Sequence, residues 1–216
     1  EFLARVFQRL LTNFTWWVNR KDPDGRNLFQ GGFLGLDNIG IFDRSAPLPG
    51  GGTLAQADGT AWMALYCQWM LQIAVELARH DQAYADMALK FVTHFEWIAI
   101  ALDPPDGDTV LWDEEDGFYY DVMRMPDGQT IRLKVRSLVG LLPLCAATVF
   151  DPDVVDRNPE FMERAAEFVA HFSDAVPALA HLPGPSPEGR RLLSLVDEHR
   201  LRRILAALLD EQEFLG

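Results

Sequence analysis

The sequence predicts an all-α chain of helical hairpins around one long loop, with a short β-hairpin inserted. Three observations carry this. Apolar residues recur at helical spacing near both ends, one internal segment is apolar on nearly every face, and residues 19–59 show no comparable period. A length of 216 residues is simplest as a single domain, and a 49% hydrophobic content is enough to fill its core.

Apolar residues at positions 2, 3, 6, 7, 10, 11 and 14 give one face of an amphipathic helix over 1–18. The loop over 19–59 is rich in glycine and proline, yet holds Phe29, Phe33, Leu34, Leu36, Ile39, Ile41 and Phe42. A loop of that length is functional or disordered, and its apolar content argues against disorder. The segment 60–79 lacks a solvent stripe, as a helix surrounded by other elements does. Asp58 or Thr60 is a candidate cap for it. A helix over about 84–101 reads as its antiparallel partner and stops at Pro104 and Pro105. Over 118–136, Ile131, Leu133 and Val135 alternate with polar residues, and Asp127-Gly128 suits a two-residue hairpin turn. Helices are expected again over 138–150, from Asn158 with Pro159 in its first turn, and over 198–211. The expected total is six helices and one hairpin.

Nineteen basic residues against thirty-two acidic ones give a net charge of -13, which disfavours nucleic acid and anionic membrane surfaces as partners. The longest apolar run, 138–150, is too short to cross a bilayer. Cys67 and Cys145 sit in apolar segments and are expected as buried free thiols. No charged-then-apolar-then-small leader opens the chain, which reads as a piece of something longer. Location stays open, with the cytoplasm favoured over secretion.

No dinucleotide, phosphate-loop, nucleophile-elbow or HExxH signature is present. His94 reads as an ordinary, partly buried histidine. The chemistry candidates are carboxylates in loops. Asp37 lies between Leu36 and Ile39, with Phe33 and Phe42 near and four glycines around it. An apolar surround favours the protonated form that a general acid needs, whereas backbone hydrogen bonds in a glycine-rich turn favour the carboxylate. Asp43-Arg44 is as readily a local ion pair. Gln56, Asp58 and Trp62 suit a sugar pocket of amide, carboxylate and indole. Trp112-Asp113 and the run from Phe118 to Asp121 would add a wall, although aromatics at strand positions more often pack a core. The eight carboxylates of 103–121 fit no EF-hand spacing and read as a solvated acidic loop.

The run from Gly32 to Ser45, Gly-Phe-Leu-Gly-Leu-Asp-Asn-Ile-Gly-Ile-Phe-Asp-Arg-Ser, resembles the motif region of glycoside hydrolase family 63 relatives. These include bacterial mannosylglycerate and glucosylglycerate hydrolases. The segments 56–63, 111–121, 134–144 and 191–196 resemble the same group and keep its order. The resemblance implies part of an (α/α)6 toroid of the six-hairpin glycosidase type, with these helices forming about half of the ring. The long loop over 19–59 would then help form the pocket rim. It implies a glycosidase that hydrolyses an α-glucosidic or α-mannosidic bond with inversion, using two carboxylic groups. Asp37 falls on the general acid; Asn38-Ile39 departs from the Asn-Ser common after that acid, so a local hydrogen bond differs. Phe33, Asp43, Arg44, Gln56, Asp58, Trp62, Trp112, Asp113, Tyr120 and Arg136 are the expected substrate-binding residues. The general base of such enzymes is a Glu in the second half of the ring, beyond these 216 residues.

Inversion places the two carboxyls about 6.5 to 9.5 Å apart, so that the base activates water on the far face of the sugar. Asp58, Asp113 and Asp121 are the stand-in bases within the segment, with nothing in their spacing to recommend one. The fragment alone is therefore expected to be inactive. It would expose faces meant for the missing C-terminal half and would tend to self-associate. The expected partners are a carbohydrate substrate and that second half, and the acid–base chemistry calls for no metal or cofactor. Two other classes stay open: a non-catalytic carbohydrate-binding module, which would tolerate loss of Asp37, and a helical-repeat interaction scaffold, which leaves the 19–59 loop unexplained.

Overall fold

A computed structural model describes residues 1–19, 25–30, 35–40, 42–48, 50–104, 110–157 and 185–214, with a few positions between 159 and 167. Helix α1 (Phe2–Val18) follows its apolar spacing and buries Phe7 and Phe14. Phe7 meets Tyr84 and Phe91 edge-on at 5.4 and 6.0 Å, and Phe14 meets Phe91 at 5.1 Å and Tyr66 at 5.4 Å. These contacts seat α1 against both α2 (Ala57–Ala78) and α3 (Ala83–Leu102).

Helices α2 and α3 are joined by residues 79–82 and form the most extensive pairing of elements in the chain. As its composition predicts, α2 is buried along most of its length. The partly exposed stripe on it is still largely apolar, with Trp62, Leu65, Trp69 and Ile73 at helical spacing. His94 on α3 is half-buried between Phe14 and Trp97, each 5.3 Å away. Among the described residues no helix is long and apolar enough to cross a membrane.

The β structure is more extensive than one hairpin. Strands β4 (Asp121–Arg124) and β5 (Thr130–Leu133) form the expected hairpin. Its connection runs over residues 125–129, longer than the expected two-residue turn. Met125 N–H donates to Gln129 O at 2.8 Å, Gly128 N–H donates back to Met125 O at 2.9 Å, and Gly128 takes φ +88°. That is a tight turn closed by a left-handed glycine. Strand β1 (Thr53–Ala55), from the end of the long loop, adds to β4 as a third strand. Gly52 precedes it at φ +98°, where a Cβ would run into Arg124 O. Phe118 and Tyr119 belong to a separate two-stranded ladder, β2 (Trp112–Asp113) with β3 (Phe118–Tyr119).

The helix expected over 138–150 is instead a 3-10 segment, Leu138–Cys145, followed by β6 (Ala147–Phe150). Pro143 removes a helical donor, and the β-branched Thr148 and Val149 suit a strand. Strand β6 pairs with β7 (Arg191–Ser194), and buried Gln68 of α2 ties the ladder down by donating to Ala146 O and Leu193 O at 3.2 and 3.0 Å. Cys67 is buried as expected, but the 3-10 geometry turns Cys145 to solvent. A short helix α4 (Pro152–Asp156) follows. The next expected helix begins on Asn158, which lies outside the described residues, although positions 159, 161–163, 165 and 167 are helical. The last helix, α5 (Glu198–Leu208), starts at Asp197, whose carboxylate accepts from Arg200 N–H at 2.8 Å. The described residues are thus largely helical, with three small antiparallel sheets among them.

Candidate functional site

Arg44 is the point where the long loop, α2 and the β4–β5 hairpin meet. Its Nε donates to Asp121 Oδ2 at 2.7 Å, and its Nη2 donates to Asp58 Oδ1 at 2.6 Å. Its Nη1 donates to Asp58 Oδ2 at 3.1 Å and to Leu36 O at 2.9 Å. The side chains of Arg44 and Asp58 are each 3% exposed. Burial alone would discourage charge on Arg44, but hydrogen bonding to Asp58 and the field of Asp121 hold the guanidinium firmly protonated. Burial pushes the Asp121 carboxyl above its ordinary value, against the opposing pull of Arg44. The 2.7 Å ion pair and the Ala57 N–H, 3.0 Å from Oδ1, hold the Asp121 carboxyl in place.

Buried Gln56 belongs to the same knot, donating from Nε2 to Arg44 O at 2.9 Å. Asp58 also accepts from Gly59 N–H at 2.8 Å in the first turn of α2. Neither Asp58 nor Thr60 is the helix cap: α2 starts one residue after Gln56, and Thr60 Oγ1 instead accepts from Phe29 N–H at 3.1 Å. The structure therefore brings Arg44, Gln56 and Asp58 together, but bonded to one another and to Asp121. Asp43 does not pair with its neighbour Arg44. It is exposed and closes a turn by accepting from Ser45 Oγ and N–H, and those bonds lower its pKa.

Asp37 is half-buried, and its main-chain carbonyl accepts from Arg44 N–H at 3.0 Å. Its Oδ1 is buried with no hydrogen-bond partner. Phe33 lies outside the described residues. Alongside this loop runs a cleft of about 230 Å³. Ile39 and Phe42 form one wall and Leu133, Val135 and Val139 the other, with Arg44, Asp121, Arg132, Lys134 and Ser137 as polar groups. Two of those polar groups carry buried atoms without partners, Arg132 Nε and Ser137 Oγ. Orphaned buried polar atoms are uncommon in folded proteins, and a group of them at one cleft marks a place for a polar ligand. Both oxygens of Glu96 are also orphaned, but within α3 and away from this cleft's lining. A groove of about 210 Å³ between the C-terminal part of α2 and residues 149–157 contains none of these groups.

The remaining expected site residues form a second network. Asp113 accepts from Arg132 at 2.8 Å, Lys134 at 3.0 Å and Asp116 N–H at 2.8 Å. Burial opposes its charge, yet these donors hold its carboxyl at about 2. Tyr120 Oη donates to Asp116 at 3.0 Å and accepts from Arg136 Nε at 3.1 Å, while Arg136 reaches Glu213 at 2.8 Å. Trp112 is buried with Arg200 and Arg203 over its ring at 5.0 and 5.7 Å, and its Nε1 donates to Glu114 at 2.6 Å. Trp112, Asp113, Tyr120 and Arg136 thus brace the strands. Trp62 stands on the partly exposed face of α2, 5.7 Å from Trp69 and away from the cleft lining. Asp58, Asp113 and Asp121, the stand-in bases, all carry tight cationic partners.

The polar cleft groups that the sequence does not single out are Arg132, Lys134 and Ser137, of which Arg132 and Ser137 carry the unpartnered atoms. Ser137 lies in the 134–144 segment and Arg132 just before it, but no local spacing marks either as facing a ligand.

No family model matches the chain, and no solved structure matches it. It is 46% identical over 228 residues to a Saccharomyces cerevisiae protein described as uncharacterized protein YMR196W. The whole of this chain takes part in that match but only 21% of the yeast protein does, so the chain spans about a fifth of its relative's length.

Proposed function

We propose that this chain is part of a glycoside hydrolase of the family 63 type, which hydrolyses an α-glucosidic or α-mannosidic bond with inversion, and that Asp37 is its general acid. The observation that carries the reading is the buried, unpartnered Oδ1 of Asp37 on a loop pinned at Arg44; Asp37 does not itself line the cleft, but Ile39, Gly40, Phe42 and Arg44 of the same loop do, and that apolar-walled cleft holds two further unpartnered polar atoms. A sugar offers that combination its apolar ring faces and its hydroxyls together. Asp37 would protonate the leaving oxygen as the anomeric C–O bond breaks. A carboxylate from elsewhere in a longer polypeptide would take a proton from the attacking water.

The α2–α3 hairpin suits an inner and outer helix of an (α/α)6 ring. The half-exposed Trp62, Leu65, Trp69 and Ile73 stripe on α2 is then covered by helices of the same polypeptide that this segment does not include. A relative of about five times this length has room for them. On this reading the isolated segment is inactive and self-associates.

The test is hydrolysis of a panel of α-glucosides and α-mannosides, glycerate conjugates included, by the full-length polypeptide, its Asp37→Asn variant and the 216-residue segment. Turnover by the first alone supports the proposal. Full activity in Asp37→Asn removes Asp37 as the acid. Binding of these sugars without cleavage of any would favour a carbohydrate-binding module.

A further inference from the structure

We infer that Arg44 is a positioning residue for Asp37, fixing the direction of its carboxyl through the backbone; this rests on the reading of Asp37 as a general acid. Two peptide planes flank the Asp37 Cα, and Arg44 binds both. Its Nη1 donates to Leu36 O, on the plane before Asp37, at 2.9 Å. Its main-chain N–H donates to Asp37 O, on the plane after it, at 3.0 Å. With both planes held, the Cα–Cβ direction of Asp37 is set and only its side-chain rotamers remain.

Among the described residues no side chain is seen to hydrogen-bond the Asp37 carboxyl, and its Oδ1 is buried without a partner. That is suitable for an acid whose proton must be free to leave toward a substrate oxygen. It also makes the carboxyl's placement depend on the backbone. Arg44 is itself immobilised from three sides: Asp58 holds both terminal nitrogens, Asp121 holds Nε, and Gln56 holds the main-chain carbonyl. The loop thus borrows the rigidity of α2 and β4. A planar guanidinium can hold two carboxylates and a carbonyl at once, whereas an ammonium offers no such fork.

The leaving group reports on Asp37 without reporting on the fold. An alkoxide leaving from a methyl glycoside needs a proton from Asp37 as the C–O bond breaks; fluoride leaves from a glycosyl fluoride as the anion. Arg44→Lys in the full-length polypeptide is therefore expected to lower kcat on methyl α-glucoside by about a hundred-fold, the scale of a small misplacement. It should affect α-glucosyl fluoride far less, so that the ratio of the two rates rises at least about ten-fold, within the range acid catalysis contributes. If Arg44→Lys fails to fold, Asp121→Asn decides. Arg44 Nε and Ala57 N–H bond different oxygens of Asp121, so the single amide oxygen of Asn keeps only one of them, and with Asp58 still holding Arg44 the same ratio should rise by a smaller factor. An equal fall on both substrates, with the ratio unchanged, overturns the positioning role and leaves only a structural one. If the wild type prefers mannosides, the methyl α-mannoside and α-mannosyl fluoride pair gives the same ratio; a wild-type protein that cleaves neither the glucosyl nor the mannosyl pair overturns the hydrolase reading, and this inference with it.

Discussion

Arg44 and Asp121 lie 77 residues apart and meet through a 2.7 Å bond between Nε and Oδ2 in a site almost closed to solvent. With Asp58 at 2.6 Å on the other side, a single guanidinium serves two buried carboxylates. The loop of the proposed acid therefore depends on residues far from it in sequence.

Asp121→Ala leaves Arg44 its pair with Asp58 but strands Nε, and a buried donor without a partner costs about 1–3 kcal/mol. Asp121→Ala also strands the Ala57 N–H. The two stranded donors should together lower stability to urea by about 2 kcal/mol or more. Asp43→Ala, at an exposed turn, should stay within about 0.5 kcal/mol. Equal effects from the two would contradict the arrangement described.

Glu96 is 1% exposed with both oxygens unpaired, and burial pushes its carboxyl up to about 8 from an ordinary 4.5. Below about 4.5 both folded and unfolded chains keep the proton; as pH rises toward 8 the unfolded chain ionises first, and stability falls. Glu96→Met should remove this slope and stabilise the protein at pH 7.5 by at least about 1 kcal/mol, since a tenfold difference in proton affinity between the folded and unfolded chains is worth about 1.4 kcal/mol. Parallel pH–stability curves for the two proteins would show Glu96 to be solvated or paired.

Asp113 behaves in the opposite sense. Its folded value of about 2 lies below the ordinary 3.8, so its contribution is present above pH 4 and is lost as pH falls toward 2. Acid unfolding of Asp113→Asn should show a shallower loss over that window. An unchanged acid limb would mean that Arg132 and Lys134 do not pair with it in solution.

Gly140 has no room for a methyl group: a Cβ there would overlap the Phe118 ring and Tyr119 O. Gly140→Ala should therefore cost at least about 1–3 kcal/mol, since a strand backbone cannot move aside as a side chain can. A thermal melt that leaves the midpoint unchanged would place the 3-10 segment farther from β3.

Helices whose faces repeat at 3.6 residues are legible in the sequence. Both α1 and α5 follow their apolar spacing, and the pattern bounds α2 and α3 to within about three residues. The run 138–150 is not legible in this way, because a short apolar stretch fits helix and strand equally until Pro143 and the β-branched Thr148-Val149 are weighed. Strands β1 and β7 are three and four residues long. They exist through pairings such as Thr53 with Arg124 and Phe150 with Arg191, which no local window contains. The site divides in the same way. Asp37 stands out through its loop, but the partners of Arg44 come from α2 and β4, and only the folded chain identifies them.

The measurement closest to the central proposal is proton NMR of the first-formed product. The full-length protein and its Asp37→Asn variant would be followed on an α-glucoside or α-mannoside that the wild type cleaves. The expected result is release of the β-anomer, mutarotating afterwards to the equilibrium mixture, with no product from Asp37→Asn. Release of the α-anomer, or undiminished turnover by Asp37→Asn, would contradict an inverting hydrolase with Asp37 as its acid.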